Sequence, residues 1–146
     1  MSTLAATAPI RRSPWHVWVV AILTLLWNGS GAFTIAMAQA GRLADVDVNE
    51  SAYYAAQPLW FVITTDIALL MPLTAAVALL RRSRKAVWLF ALSLIAFVFN
   101  NVYDIGAGTS LALADQGWRI TTVVIAVIAV LQLVYASAMS KRAVLQ

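Results

Sequence analysis

Long stretches of apolar residues without charge alternate with short charged segments along the whole chain. The uncharged stretches cover residues 13–41, residues 51–80 with Asp66 as the one interruption, residues 86–103 and residues 120–140. A helix needs about 20 predominantly apolar residues to cross the hydrocarbon core of a bilayer. The pattern therefore predicts one all-α domain over residues 1–146, with four transmembrane helices near residues 15–38, 58–80, 86–106 and 119–140.

Composition supports this prediction and excludes both a soluble domain and a disordered chain. Hydrophobic residues make up 62% of the 146 residues and charged residues only 11%, whereas soluble domains carry about 25% charged residues. Disordered chains are rich in charge and poor in aromatic residues, and the aromatic fraction here is 10%. We therefore expect a multi-pass membrane protein whose first partner is the lipid bilayer.

Basic residues are concentrated on one side of the predicted helices. Eight of the ten basic residues precede the first helix, join the second to the third, or follow the fourth: Arg11, Arg12, Arg81, Arg82, Arg84, Lys85, Lys141 and Arg142. Cytoplasmic segments of membrane proteins are enriched in Lys and Arg. The distribution therefore predicts cytoplasmic N- and C-termini. It also explains the net charge of +4 as a topology signal, so we expect no nucleic-acid partner.

Five polar residues of the predicted helices lie in the half of the membrane away from the basic segments. They are Asn28, Asp66, Asn100, Asn101 and Asp104. At ~1.5 Å per residue, Asn28 is predicted ~2 Å from the midplane, Asp66 and Asn100 ~5 Å, and Asp104 ~10 Å. An ionisable side chain at such depth is a candidate functional residue. The five residues are therefore the candidate ligand-binding residues of an outward-facing polar pocket, with Asp66 as its anchor.

Two interpretations of this polar layer remain open at the level of the sequence. In the first, the pocket binds or moves a small polar solute or a cation, and movement requires a homodimer because four helices are too few to enclose a path. In the second, a protonated Asp66 hydrogen-bonds Asn28 or Asn100 and only joins helices. The protein is then a non-catalytic accessory or assembly subunit of a larger membrane complex.

Catalytic and metal-binding constellations are absent from the sequence. The chain contains no cysteine and one histidine, His16. Thiolate catalysis therefore has no nucleophile here, and a haem held by two histidines lacks its second ligand. Zinc sites usually need several His or Cys ligands. We expect no enzymatic activity, no metal and no cofactor, and we assign His16 to the membrane interface.

Some residues of the predicted helices indicate how the helices pack. Pro72 lacks a backbone N–H and is expected to free the carbonyl of Ala68 and kink the second helix. Gly29 and Gly31 favour close contact of the first helix with a neighbour, and Gln132 is expected to form a hydrogen bond between helices.

Several segments resemble a group of small bacterial four-span membrane proteins that are often labelled sugar transporters. These segments are PWHVWVVAILTLLWNGSGAF (Pro14 to Phe33), Pro58-Leu59-Trp60, Leu79-Leu80-Arg81-Arg82 and Val102-Tyr103. The resemblance covers most of residues 14–142. It implies a multi-pass protein of the bacterial inner membrane and assigns no functional residue.

Overall fold

The computed structural model describes residues 14–42, 48–108 and 116–145. Its helices are α1 (Trp15–Gln39), α2 (Val48–Ala56), α3 (Leu59–Leu80), α4 (Lys85–Gly106) and α5 (Gln116–Lys141). All of them except α2 are long and apolar enough to cross a membrane. The described residues contain no strand, so the predicted all-α class with four candidate spans is confirmed. The four long helices begin and end within three residues of the predicted bounds.

Each of the four long helices is followed by a residue in the left-handed region, which turns the chain sharply: Gly41, Arg82, Gly108 and Ala143. At the end of α1, Gly41 has φ 63°, and the N–H of Arg42 donates to the carbonyl of Met37 at 2.9 Å. At the end of α3, Arg82 has φ 56°, and the N–H of Ser83 donates to the carbonyl of Ala78 at 2.8 Å. These bonds satisfy carbonyls of the last helical turn. The second turn folds α3 and α4 into a tight antiparallel hairpin.

The long helices are arranged in the order α1–α3–α4–α5. The hairpin of α3 and α4 is the most extensive helix pair, α1 packs on α3, and α5 packs on α4. In the α1–α3 pair, a Cβ added to Gly31 would lie 3.9 Å from Cδ2 of Leu69, and one added to Gly29 would lie 4.0 Å from Cδ2 of Leu73. The two glycines therefore face α3, at a distance that would also accommodate a methyl group. By contrast, α1 and α5 make few contacts with each other, and a groove separates them.

The main hydrophobic core lies at the end of the helices that carries the α3–α4 turn, the start of α1 and the end of α5, here called the basic end. Its buried members come from all four long helices and from the segment after α5: Val17, Ala21, Ala75, Leu79, Ala86, Phe90, Ala136, Met139 and Leu145. Ala143, with φ 55°, turns the chain so that Leu145 is fully buried. The Nε–H of Arg84 donates to the Leu145 carbonyl at 3.3 Å. The opposite end, which carries α2, is called the α2 end.

Candidate functional site

Asn100 joins α4 to α3 through its side-chain amide. The residue is buried, with 7% exposure. Its Oδ1 accepts a hydrogen bond from the hydroxyl of Thr64 at 2.6 Å, and its Nδ2 donates to the hydroxyl of Thr65 at 2.8 Å. Bonds of this kind between membrane helices contribute about 0.6 kcal/mol each. The predicted pocket residue Asn100 therefore serves as an interhelical tie, and both ends of its amide are already engaged.

A second tie in the α3–α4 pair involves the carbonyl that Pro72 leaves without a helical partner. The hydroxyl of Ser93 donates to the backbone carbonyl of Ala68 at 2.6 Å. In a regular helix, the N–H of residue 72 would donate to this carbonyl, but Pro72 has no N–H. The freed carbonyl is thus confirmed, and α4 satisfies it. Sequence reasoning missed Ser93, although its spacing of seven residues from Asn100 places both on one face of α4.

Asp66 lies on a different face of α3 from the residues that contact Asn100. At ~100° per residue it is displaced by ~100° from Thr65, and it falls within ~20° of Leu73, which contacts α1. The side chain is half-buried, and it forms no hydrogen bond or ion pair with the described residues. The structure therefore does not join Asp66 to Asn100. Asp66 is instead a carboxyl group at membrane depth without a protein partner in the described chain.

The side-chain amides of Asn28 and Asn101 each donate a hydrogen bond to a backbone carbonyl of their own helix. Nδ2 of Asn28 donates to the carbonyl of Thr24 at 2.9 Å, and Nδ2 of Asn101 donates to the carbonyl of Phe97 at 2.8 Å. The expected bond between Asp66 and Asn28 is therefore absent.

The helix register explains this separation. Gly31 of α1 lies against Leu69 of α3, and the two helices are antiparallel. Asn28 lies three residues from that contact toward the basic end, whereas Asp66 lies three residues from it toward the α2 end. They are therefore ~9 Å apart along the helix axes. The predicted single layer of polar groups is wrong for this pair, because the register of two helices cannot be read from the length of each apolar stretch.

Asp104 is bound at the α2 end by the short helix α2. The hydroxyl of Tyr53 donates to Oδ2 of Asp104 at 3.0 Å, and the Tyr53 ring contacts the ring of Trp118 edge-on, with centroids 5.9 Å apart. Burial raises the pKa of the Tyr53 hydroxyl well above its ordinary range, and the negative charge of Asp104 and the hydrogen bond to it raise it further. Tyr53 therefore connects α2 with α4 and α5, and Asp104 is engaged by this contact.

Two side-chain amides at the α2 end contain buried atoms without a hydrogen bond. Nε2 of Gln39 and Oε1 of Gln57 are both buried and have no partner. Gln39 is the last residue of α1, and Gln57 precedes Pro58 at the start of α3. Because α1 packs on α3, both amides lie at the α2 end of this helix pair, with Gln57 ~13 Å along the axis from Asp66. The Gln57 side chain makes a hydrogen bond with Tyr53, so its Oε1 alone lacks a partner. We call the Asp66 carboxyl, Nε2 of Gln39 and Oε1 of Gln57 the unpartnered polar set.

The chemistry of this set is that of a hydrogen-bonding site rather than a metal centre. Asp66 supplies a carboxyl group, Gln39 an amide donor and Gln57 an amide acceptor. Such groups match a solute that carries hydroxyl or ammonium groups. Among residues 14–42, 48–108 and 116–145, no group of three or more His, Cys, Asp and Glu side chains is placed to hold a metal ion.

The groove between α1 and α5 has a volume of about 1000 Å³ and lies near the basic end. Its lining comes from both helices: His16, Val20, Leu23, Thr24, Leu26, Trp27, Ser30, Ile128, Leu131, Gln132, Val134, Tyr135, Ala138, Met139 and Arg142. Nδ1 of His16 and the hydroxyl of Tyr135 are 2.6 Å apart, so a hydrogen bond crosses the groove. None of the five predicted site residues lines it.

Comparison of the chain with family models, with curated proteins and with solved structures finds no match. The resemblance of residues 14–142 to small four-span proteins therefore stays a prediction.

Proposed function

We propose that this protein binds a small polar or cationic solute at the α2 end of the α1–α3 pair, with Asp66 as the anchor of the site. We further propose that it lies in a bacterial inner membrane with both termini in the cytoplasm, so that the site opens to the periplasm. The charge distribution supports this orientation, because the basic end collects the Lys and Arg residues. A reporter fused after Gln146 is expected to signal the cytoplasm and one inserted at Asp47 the periplasm.

The observation that carries the proposal is the half-buried carboxyl of Asp66, which has no hydrogen bond or ion pair with the described residues. An Asp at the centre of a membrane helix costs about 2.5–3.5 kcal/mol on insertion scales. A bound cation or hydrogen-bond donor offsets this cost. Asn28, Asn100, Asn101 and Asp104, by contrast, already bond to the protein.

Gln39 and Gln57 extend the proposed site beyond a single carboxyl group. A buried amide atom without a partner costs about 1–3 kcal/mol relative to one that is hydrogen-bonded. A solute that reaches Asp66 and Gln57 together spans the ~13 Å that separates them along α3. Movement of the solute across the membrane would require a second copy of the chain, since four helices do not enclose a path.

Accessibility of Asp66 from outside is the direct test of this proposal. The chain contains no cysteine, so an Asp66→Cys variant can be labelled in intact cells with a membrane-impermeant thiol reagent. We expect labelling at Asp66→Cys and at the exposed control Ala107→Cys, but not at the fully buried Ala75→Cys. Labelling of the Ala107→Cys control without labelling of Asp66→Cys would overturn the proposal and favour the accessory-subunit interpretation.

The class of solute is tested by thermal unfolding of the purified protein. Wild type is expected to gain stability from a member of a panel of monovalent cations, ammonium compounds and neutral sugars. Asp66→Asn is expected to lose that gain, and Asn101→Ala to keep it, because Asn101 bonds only within α4. Equal shifts for wild type and Asp66→Asn across the panel would remove Asp66 from the site.

A further inference from the structure

We propose that the groove between α1 and α5 binds one single-chain acidic amphiphile of the leaflet at the basic end. Its acid group lies at Arg142 and His16, its chain follows the apolar walls, and a hydrogen-bonding substituent of the chain contacts Gln132 and Thr24. This site involves a different helix pair and the opposite end of the helices from the proposed solute site.

The length of the groove matches one leaflet of a bilayer. Its walls run from residue 16 to 30 on α1 and from residue 128 to 142 on α5, or ~21 Å along each helix. The hydrocarbon core of a bilayer is ~30 Å thick, so the groove covers one leaflet and its interface. A transmembrane helix of a partner would need contact through both leaflets. An amphiphile with one chain needs only this length.

The rim of the groove is apolar and faces the lipid. Four of the lining side chains are more than half exposed: Leu23, Leu26, Leu131 and Val134. A chain that enters sideways from the bilayer therefore meets apolar contacts throughout. The volume of about 1000 Å³ lies at the upper end of the range for small-molecule sites, ~300–1,000 Å³.

Two buried polar side chains interrupt the apolar walls of the groove. Gln132 is 9% exposed and Thr24 is 3% exposed, and neither side chain forms a hydrogen bond with the described residues. The expected interhelical bond of Gln132 is therefore absent. In hydrocarbon, a polar group without a partner costs several kcal/mol. A ligand with a hydroxyl or carbonyl group beside either side chain supplies the missing partner, which a plain alkyl chain does not.

The charge of the groove selects an acid at its outer opening. Among the lining residues Arg142 is the one with a formal charge, and none of them is acidic. His16 lies at the same opening and contacts Tyr135 through Nδ1, which leaves its Nε2 for a ligand. Thr24 lies ~12 Å from His16 and Gln132 lies ~15 Å from Arg142 along their helices. With its acid at Arg142, the ligand therefore carries its second polar group ~15 Å away, at Gln132.

A pair of matched fatty acids tests this specification. The probes are stearate and 12-hydroxystearate, which places a hydroxyl group at a comparable distance from its carboxylate. Binding to the purified full-length protein in detergent is followed by thermal unfolding. We expect 12-hydroxystearate to bind wild type about threefold more tightly, as one membrane hydrogen bond of about 0.6 kcal/mol implies. Gln132→Leu should remove this preference, and Arg142→Gln should weaken both acids equally.

Asp66→Asn separates this proposal from the proposed function, because it should leave both fatty acids unaffected. Stabilisation of wild type by neither acid, or an equal preference in wild type and Gln132→Leu, would overturn the amphiphile site. Oxidation of Leu131→Cys in native membranes gives a further outcome. A disulfide-linked dimer at that position would assign the groove to a second copy of the chain instead.

Discussion

The α3–α4 pair and the α1–α5 pair both place polar side chains between their helices, but the first pair joins more of them by hydrogen bonds than the second. In the α3–α4 pair, Asn100 and Ser93 reach across to α3 at 2.6–2.8 Å. Across the α1–α5 groove, one bond between His16 and Tyr135 is made, while Gln132 is buried without a hydrogen bond. A polar residue in a membrane helix is thus a structural tie or a candidate ligand contact, depending on what the facing helix supplies.

The difference follows from how the two pairs are connected. A turn of a few residues holds α3 against α4, and its left-handed Arg82 brings the two helices together over their whole length. The helices α1 and α5 lie at the two ends of the packing order and are far apart in sequence. Close pairing allows short side chains such as Ser and Thr to reach a partner, whereas an open pair leaves room for a ligand.

Truncation of the packed core should produce the largest effect and separate the two pairs most clearly. Leu79 of α3 is fully buried, whereas Leu131 on the rim of the groove is 60% exposed. We expect Leu79→Ala to lower the free energy of unfolding by about 2 kcal/mol, the lower end for buried leucines, because lipid supplies no hydrophobic driving force between membrane helices. Leu131→Ala should change it little. Reversible unfolding in mixed micelles measures both, and equal losses would contradict the comparison.

Removal of the Asn100 tie tests whether hydrogen bonds hold the closed pair. Asn100→Leu loses two bonds to α3, and at about 0.6 kcal/mol each the expected loss of unfolding free energy is about 1 kcal/mol. Without Asn100, the single hydroxyl proton of Thr64 can donate to the carbonyl of Trp60 or Phe61 instead, which limits the loss. The matched variant Asn101→Leu removes only a bond within α4 and should have no measurable effect. A larger loss in Asn101→Leu than in Asn100→Leu would refute the assignment.

Removal of the one bond across the groove should have a smaller effect. Tyr135→Phe deletes the hydroxyl that lies 2.6 Å from His16, and the expected loss of unfolding free energy is about 0.6 kcal/mol. The same variant should increase the reactivity of a cysteine placed at Leu131, since the groove is then free to widen. Unchanged stability together with unchanged reactivity would show that this bond does not hold the groove.

The contact of Tyr53 with Asp104 predicts a pH dependence that appears only in alkaline solution. The folded chain holds the pKa of Tyr53 above its ordinary value of 10.0, so the unfolded chain loses the phenolic proton first. The contribution of Tyr53 to stability is therefore complete below pH 10 and decreases as the pH rises further. Tyr53→Phe should flatten the decrease. An identical alkaline profile of the unfolding midpoint in both proteins would contradict the role of Tyr53 at the α2 end.

The sequence alone determined the class of the protein and the bounds of its long helices. Hydropathy is a local property, so the start and end of an apolar stretch locate a helix to within a few residues. The consequence of Pro72 for the Ala68 carbonyl is equally local, since it depends on a spacing of four residues in one helix. Each of these features needs no knowledge of a neighbouring helix.

Tertiary structure alone decided which polar residues have partners. The partner of Asn100 depends on the faces and the register of α3 and α4, and the absence of a partner for Asp66 depends on the side of α3 from which α1 approaches. Neither quantity is encoded in a single apolar stretch, because any face of a hydrophobic helix is compatible with lipid. The sequence therefore identified the polar residues at membrane depth, and the packing of the helices divided them into ties and candidate ligand contacts.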